Sequence, residues 1–437
     1  MRVLFVTPYV PSRIRVRSLN FIKQLSRKHE VTLVALTHGE PTEEESISEL
    51  YRYCKHVVFH RLTKTRAMSS CCMRLFSRMP LQTAYTQCAS ARRTVRRITQ
   101  SNGFDLLHVE HIRGAYLAAG IETVPVVYDS VDCITLLIRE RLAQTIGILE
   151  RMLNLEEIIK MRVYEPLMAA MFDKVVITSR RDKLALALLM YRLQKTRMND
   201  ESGHAFVLNP KRFTDMPART RTHLVFNKPE ISVIPNGVDT EYFRPMDVPI
   251  SRGSIVFTGK MSYFANSAAA VYFCNQVFPL VKAQVPDASF WIVGSNPPAS
   301  VRRLAGGPVK VTGYVDDVRP FIAGAEVVVC PLKVGVGIQN KLLEAMAMKK
   351  AVVASSVACH GIPDAVDDVH LSCGNSPEEM ARKIIELMRD PSKRSTMGEA
   401  ACHFVSNRYS WETAAQKLVD VYWEAIETRT ERASVAA

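Results

Sequence analysis

Short, continuous apolar runs alternate with amphipathic stretches along most of the chain. RVLFVTPYV (2–10) reads as a buried strand entering a loop broken by Pro8 and Pro11. Leu19, Ile22 and Leu25 then fall at helical spacing within 16–28, and EVTLVAL (30–36) is the next strand. HVVFHRL (56–62) is a further strand candidate. FDLLHVEHIRGAYLAAG (104–120) gives a strand at 106–109 and a helix from Arg113, and VPVVYDSVD (124–132) gives a strand ending in Asp129 and Asp132. The two carboxylates invite metal or acid/base chemistry, but capping of the next helix is the favoured reading. Residues 136–171 form long helical sequence, and FDKVVITSRRDK (172–183) is a strand followed by a helix that Ser179 is placed to cap. Residues 194–229 are polar, basic and aperiodic, which reads as an inserted loop. From Ser254 to Ser355 strand, loop and helix recur again, helices follow at 376–390 and 393–407, and Trp411, Ala415, Leu418 and Tyr422 stripe a last helix. Apolar strands without alternation, each followed by a helix, predict an α/β fold with parallel sheets.

The most informative stretch is EVVVCPLKVGVGIQNKLLEAMAMKKAVVAS, 326–355. It predicts a strand (327–330), a loop with Gly335 and Gly337, a helix (338–348) and a strand (351–354). The loop leaves the carboxyl end of a strand, where doubly wound sheets bind ligands. Glycines admit a ligand close to the backbone, and the N–H groups of a helix start favour an anion such as a diphosphate. Lys341 and Glu344 lie three apart on one helix face. A lysine suits phosphate charge, and a carboxylate accepts two hydrogen bonds from a vicinal diol such as a ribose. On these letters alone a generic strand–glycine–helix turn with a surface ion pair stays open.

The wider pattern resembles the GT-B glycosyltransferases, specifically the retaining glycosyltransferase family 4. The resemblance rests on G-x-G followed by EAMA and the VVAS strand, together with SVIPNGVDTEYFRP (232–245) and VTGYVDDV (311–318). It looks most like the bacterial sugar transferases of exopolysaccharide and exosortase-type loci, which carry GIQNKxLEAMA. The resemblance implies two Rossmann-like domains facing a cleft. Residues 1–229 would form the acceptor domain, completed by a C-terminal helix at 411–437, and 230–410 the nucleotide-sugar donor domain. It implies that Glu344 binds the ribose, with Gly335, Gly337, Ile338, Asn340, Asn236, Gly259 and Tyr314 around the donor. Lys260 stands where the family has a phosphate-binding arginine, Ala265 where it has a lysine, and Lys341 is the substitute cation. The family's first glutamate is replaced by Val336. Where relatives have a second histidine this chain has Glu110, favoured over His111 for contact near the reacting sugar, with His108 at the first histidine's place. The loop after the first strand lacks the usual glycines and offers Ser12, Arg13 and Arg15, which suits an anionic acceptor such as a lipid pyrophosphate. The implied reaction is transfer of a hexose-type sugar from a UDP- or GDP-sugar to a lipid-linked or glycan acceptor with retention, Glu110, Lys260 and Lys341 being the catalytic candidates. No metal or cofactor is implied, the nucleotide-sugar being a co-substrate. An epimerase of the same fold and a non-catalytic membrane scaffold are the alternatives.

Composition adds three bounds. A chain of 437 residues, 47% apolar and 23% charged, suits two ordinary globular domains. No apolar run reaches spanning length, and the ten scattered cysteines form no metal or disulfide pattern, so a cytoplasmic protein is expected. The net charge of +14 is concentrated: residues 61–100 hold nine basic residues and no acidic one. An anionic membrane surface is the expected partner of that stretch, and nucleic acid is not.

Overall fold

Thirteen strands, all paired in parallel, form two separate sheets among the described residues. The computed structural model describes residues 1–437 except 76, 102, 146, 199–228, 335–336 and 437. The chain divides into one unit of 1–235 with 415–437 and a second of 236–414.

The first sheet contains β1 (Arg2–Thr7), β2 (Glu30–Thr37), β3 (His56–Arg61), β4 (Leu106–Glu110), β5 (Val126–Val131), β6 (Lys174–Ile177) and β7 (Glu230–Val233) in the order β3-β2-β1-β4-β5-β6-β7. The order reverses between β1 and β4, which opens a crevice at their carboxyl ends. Val3 to Val6 are fully buried, as strands covered by helices on both faces must be. The helix Val16–Leu25 buries the expected Leu19, Ile22 and Leu25, and Arg17 and Ser18 with them. Trp411–Ala436 is the last helix, and Trp411, Ala415, Leu418 and Tyr422 are its buried stripe.

The second sheet contains β8 (Ser254–Thr258), β9 (Ser289–Val293), β10 (Val309–Gly313), β11 (Val327–Cys330), β12 (Val352–Ser355) and β13 (Ser372–Gly374), in the order β10-β9-β8-β11-β12-β13. Its reversal lies between β8 and β11. Ser376 caps the helix Pro377–Arg389 by accepting from the Glu379 N–H.

Several expectations change. Glu230–Val233 pairs with Lys174–Ile177, so it closes the first sheet instead of opening the second unit. The helical stretch after β5 is two helices, Ile134–Gln144 and Ile148–Ala169. Their cap is not Asp129 or Asp132: the N–H groups of Ile134 and Thr135 go to the Glu165 carboxylate, at 2.6 and 2.9 Å, and that of Cys133 to Asp182. The helix Arg180–Met198 runs into the expected inserted loop, of which 199–228 lie outside the described residues. Ser179 does cap it, accepting from the Asp182 N–H at 3.1 Å. Gly237 is a position of close backbone approach. A Cβ there would lie 2.4 Å from the Trp411 nitrogen, so close backbone approach excludes any other residue.

Candidate active site

The second unit's crevice is lined by backbone. β8 ends at Thr258, and Gly259 follows with φ +154. Across from it Gly294, after β9, has φ +147, and a Cβ on it would lie 1.9 Å from the Gly259 oxygen. The two strand exits therefore touch main chain to main chain, leaving the floor of the crevice without side chains. A Cβ on Gly259 itself would meet Asn266 Nδ2 at 2.7 Å and Lys341 Cε at 3.2 Å. The Lys341 stem thus crosses directly above Gly259, while Lys260, the next residue, is exposed. A lysine stem thus lies over a glycine floor, with an exposed lysine next to it in the chain, an arrangement that suits a diphosphate.

The helix that brings Lys341 begins at Asn340, two residues later than expected, and Gly337 before it has φ +68. Gly335 lies outside the described residues. Ile338 is buried, and Gln339 at the helix start makes no side-chain cap; its Oε1 accepts from Lys341 Nζ at 3.3 Å. Asn340 Oδ1 accepts from Asn236 Nδ2 at 3.1 Å, joining two expected donor residues 104 positions apart. Glu344, one turn on, is half-buried, and its surroundings push its carboxyl up to about 7, which the Lys341 charge partly offsets. Near neutrality this carboxyl is poised between accepting and donating. Tyr314 follows β10, the edge strand, and is 73% exposed, about 10 Å from β8 by two strand spacings. Sequence reasoning passed over Asn266. It donates to the Lys260 carbonyl at 3.0 Å, and its buried Oδ1 has no partner among the described residues.

The first unit's crevice is filled by a charged network. Glu110, the last residue of β4, pairs in register with Asp129 of β5, and both are buried. Arg17 Nε donates to Asp129 Oδ2 at 2.7 Å and Nη1 to the Ile234 carbonyl at 3.0 Å. Tyr9 donates its hydroxyl to Glu110 Oε1 at 2.6 Å, and Glu110 Oε2 is left without a partner among the described residues. Burial first, then the Asp129 charge, push Glu110 up to about 7, against the Tyr9 hydrogen bond. Two residues beside this pair have left-handed backbones, His111 (φ 65) and the β-branched Val131 (φ 65). Such strain, about 1–3 kcal/mol each, persists only where surroundings enforce it. Here the His111 N–H donates to the Asp129 carbonyl and the Val131 N–H to its Oδ1.

Glu110, expected near the reacting sugar, is only 1% exposed, and its Oε1 is taken up by the Tyr9 hydroxyl. Tyr9 and His111 keep the accessible surface. His111 Nδ1 accepts from the Arg113 N–H at 3.2 Å, and burial followed by the Arg113 and Arg15 charges holds the ring neutral. His108 lies deeper, stacked on Phe5 and bonded to the Tyr422 hydroxyl at 2.8 Å, which ties the last helix to this sheet. In the acceptor loop, Ser12 Oγ accepts from the Arg15 N–H, and the Arg15 guanidinium lies 3.8 Å above the centre of the Tyr9 ring. Arg13 is simply exposed. Arg17 and Tyr9 were not singled out from the sequence; an arginine within the apolar stripe of a helix was the available signal. No cluster of three or more metal-ligating side chains occurs among the described residues.

Residues 252–390 match the family model described as "Glycosyl transferases group 1". A GDP-mannose-dependent monoacylated alpha-(1-6)-phosphatidylinositol monomannoside mannosyltransferase of Corynebacterium glutamicum is 29% identical over 217 residues, 44% of this chain and 56% of that protein. The alpha-maltose-1-phosphate synthase of Mycobacterium tuberculosis is 29% identical over 223 residues, again 44% and 56%. The chain thus spans about half the length of the curated relatives it matches. Sucrose-phosphate synthase of Thermosynechococcus elongatus superposes with a TM-score of 0.65 at 13% identity, covering 98% of this chain and 100% of that one. HepE of Anabaena, solved with UDP-glucose, gives 0.62 at 15%, covering 97% and 100%. At such identities these structures establish the fold: two Rossmann-like domains of the GT-B class. Residues 252–390 are a glycosyl transferases group 1 domain.

Proposed function

We propose that this protein is a retaining, family 4 type glycosyltransferase that moves a hexose from a UDP- or GDP-sugar to a lipid-linked or polysaccharide acceptor, in cell-surface polysaccharide synthesis. The observation that carries the reading is the glycine-floored crevice of the second unit, with Lys341 crossing Gly259 and Glu344 one turn further. In this reading the diphosphate lies over Gly259 and Gly337, and Glu344 accepts from the ribose diol. Lys260 and Lys341 stabilise the charge that grows on the leaving diphosphate as the anomeric bond breaks, so no resident metal is needed. The acceptor binds on the first unit, where Arg13 and Arg15 meet its negative charge and Tyr9, oriented by Glu110, fixes a hydroxyl. The enzyme works in the cytoplasm, at the inner membrane face where a lipid-linked acceptor is presented. Nucleotide-sugar recognition also draws support from the UDP-glucose complex of HepE and the GDP-mannose dependence of the corynebacterial relative.

The test is a screen of UDP-, GDP- and ADP-sugars for thermal stabilisation and slow nucleotide release. One donor is expected to do both. Lys341→Ala is expected to bind that donor and lose about 2–4 kcal/mol of transition-state stabilisation. Normal turnover by Lys341→Ala would remove the clamp from the mechanism, and interconversion of the donor sugar without release would identify an epimerase.

A further inference from the structure

The helix Ile148–Ala169 buries Ile158, Met161 and Tyr164 against the first unit, yet its outer face is apolar as well. Ile148 is 81% exposed, Leu149 73%, Met152 62% and Ile159 66%. A helix packed against a sheet normally turns charge outward. Beside it lies the helix Lys64–Arg74, with Met73 76% and Met68 57% exposed. The two are bound together. Lys160 Nζ donates to the Arg74 and Leu75 carbonyls at 3.2 and 2.8 Å, and Glu157 accepts from the Leu81 N–H at 2.7 Å. Both helices of the first unit thus carry exposed apolar side chains and are joined where they meet, the kind of feature that marks an interaction site.

The charge around it selects the partner. Acidic groups on the longer helix are already neutralised: Glu150 pairs with Arg141, Glu156 with Lys160, and Glu157 caps the helix at Leu81. Arg66, Arg151 and Arg162 are exposed along the same two helices, and no acidic residue occurs from 61 to 100. Apolar side chains interleaved with cations are what an anionic bilayer takes up, with side chains inserted to the acyl boundary and cations at the headgroups. Among the described residues no helix is long and apolar enough to cross a membrane, so the contact would be peripheral.

We propose that the outer faces of helices Ile148–Ala169 and Lys64–Arg74 form a docking surface for an anionic lipid bilayer. This moves the membrane contact from the basic stretch alone to the apolar outer face of a helix that begins at Ile148, well outside that stretch. It stands whether or not the protein transfers sugar.

The test is flotation of the full chain with vesicles of phosphatidylcholine alone or with a third of phosphatidylglycerol. Wild type is expected to float with the anionic vesicles and to be released by salt. Leu149→Glu with Met152→Glu is expected to weaken vesicle affinity about tenfold or more. Arg66→Glu with Arg151→Glu is expected to weaken it roughly fivefold per residue. All four positions are exposed, so the melting temperature reports whether either pair unfolds the chain; if it does, Leu149→Ser with Met152→Ser replaces it. Failure of wild type to float with either vesicle overturns the proposal, as does flotation untouched by the apolar pair. A concentration-dependent dimer abolished by Leu149→Glu with Met152→Glu, without vesicle binding, would instead assign the face to a second copy.

Discussion

The two sheets share one topology and one kind of reversal point, yet the crevices there are built oppositely. In the second unit the strand exits are glycine against glycine, Gly259 on Gly294, and the Lys341 stem stands over bare backbone. In the first unit the loop from β1 carries no glycine, and the space is taken by Tyr9 bonded to Glu110 and Arg17 bonded to Asp129. One crevice is open floor for a polyanion. The other is a preorganised surface whose charges are spent internally. The same fold thus supplies a site that waits for its charge partner and a site that already contains it.

The sharpest way to break this contrast is Arg17→Met. Removing the guanidinium leaves Asp129 buried and unpaired, and we predict a loss of about 3–5 kcal/mol in denaturant unfolding. A loss under about 1 kcal/mol would mean that the network is not preorganised. A smaller effect tests the protonation of the same network. Glu110 folds with its carboxyl raised to about 7 from an ordinary 4.5, so the folded state holds the extra proton between those values. Its contribution to stability is therefore present below about 4.5 and lost as pH rises through about 7. Glu110→Gln should remove that loss, so the variant gains on wild type from pH 5 to pH 8 by of order 2–3 kcal/mol. Parallel melting curves across that range would sink the assignment.

The contrast also explains what could be read from the letters. The second unit's site was legible because its chemistry is local: strand exit, glycine loop, and Lys341 and Glu344 on one turn of one helix. Its helix was placed two residues early because Gly337 and Gln339 shape the turn before Asn340. The first unit's network was not legible. Tyr9 meets Glu110 across 101 residues, Arg17 meets Asp129 across 112, and Tyr422 meets His108 across 314. Those pairings depend on strand order, which no periodicity encodes. Asp129 was noticed, but as a cap, because its partner arginine lay hidden in an apolar stripe. Glu110 was noticed as a sugar contact, because its register beside Asp129 and beneath Tyr9 appears only once β4 and β5 are paired.

The most direct test of the account is a binding cycle on Glu344. The affinity of the chosen nucleoside diphosphate and of its 2′,3′-dideoxy analogue would be measured by calorimetry at pH 8 for wild type and Glu344→Ala. The account predicts that wild type loses about 10- to 100-fold on losing the diol, that the variant loses as much with the intact ligand, and that both changes together cost little more than either. Fully additive losses would show that Glu344 does not hold the ribose, and the second crevice would need another reading.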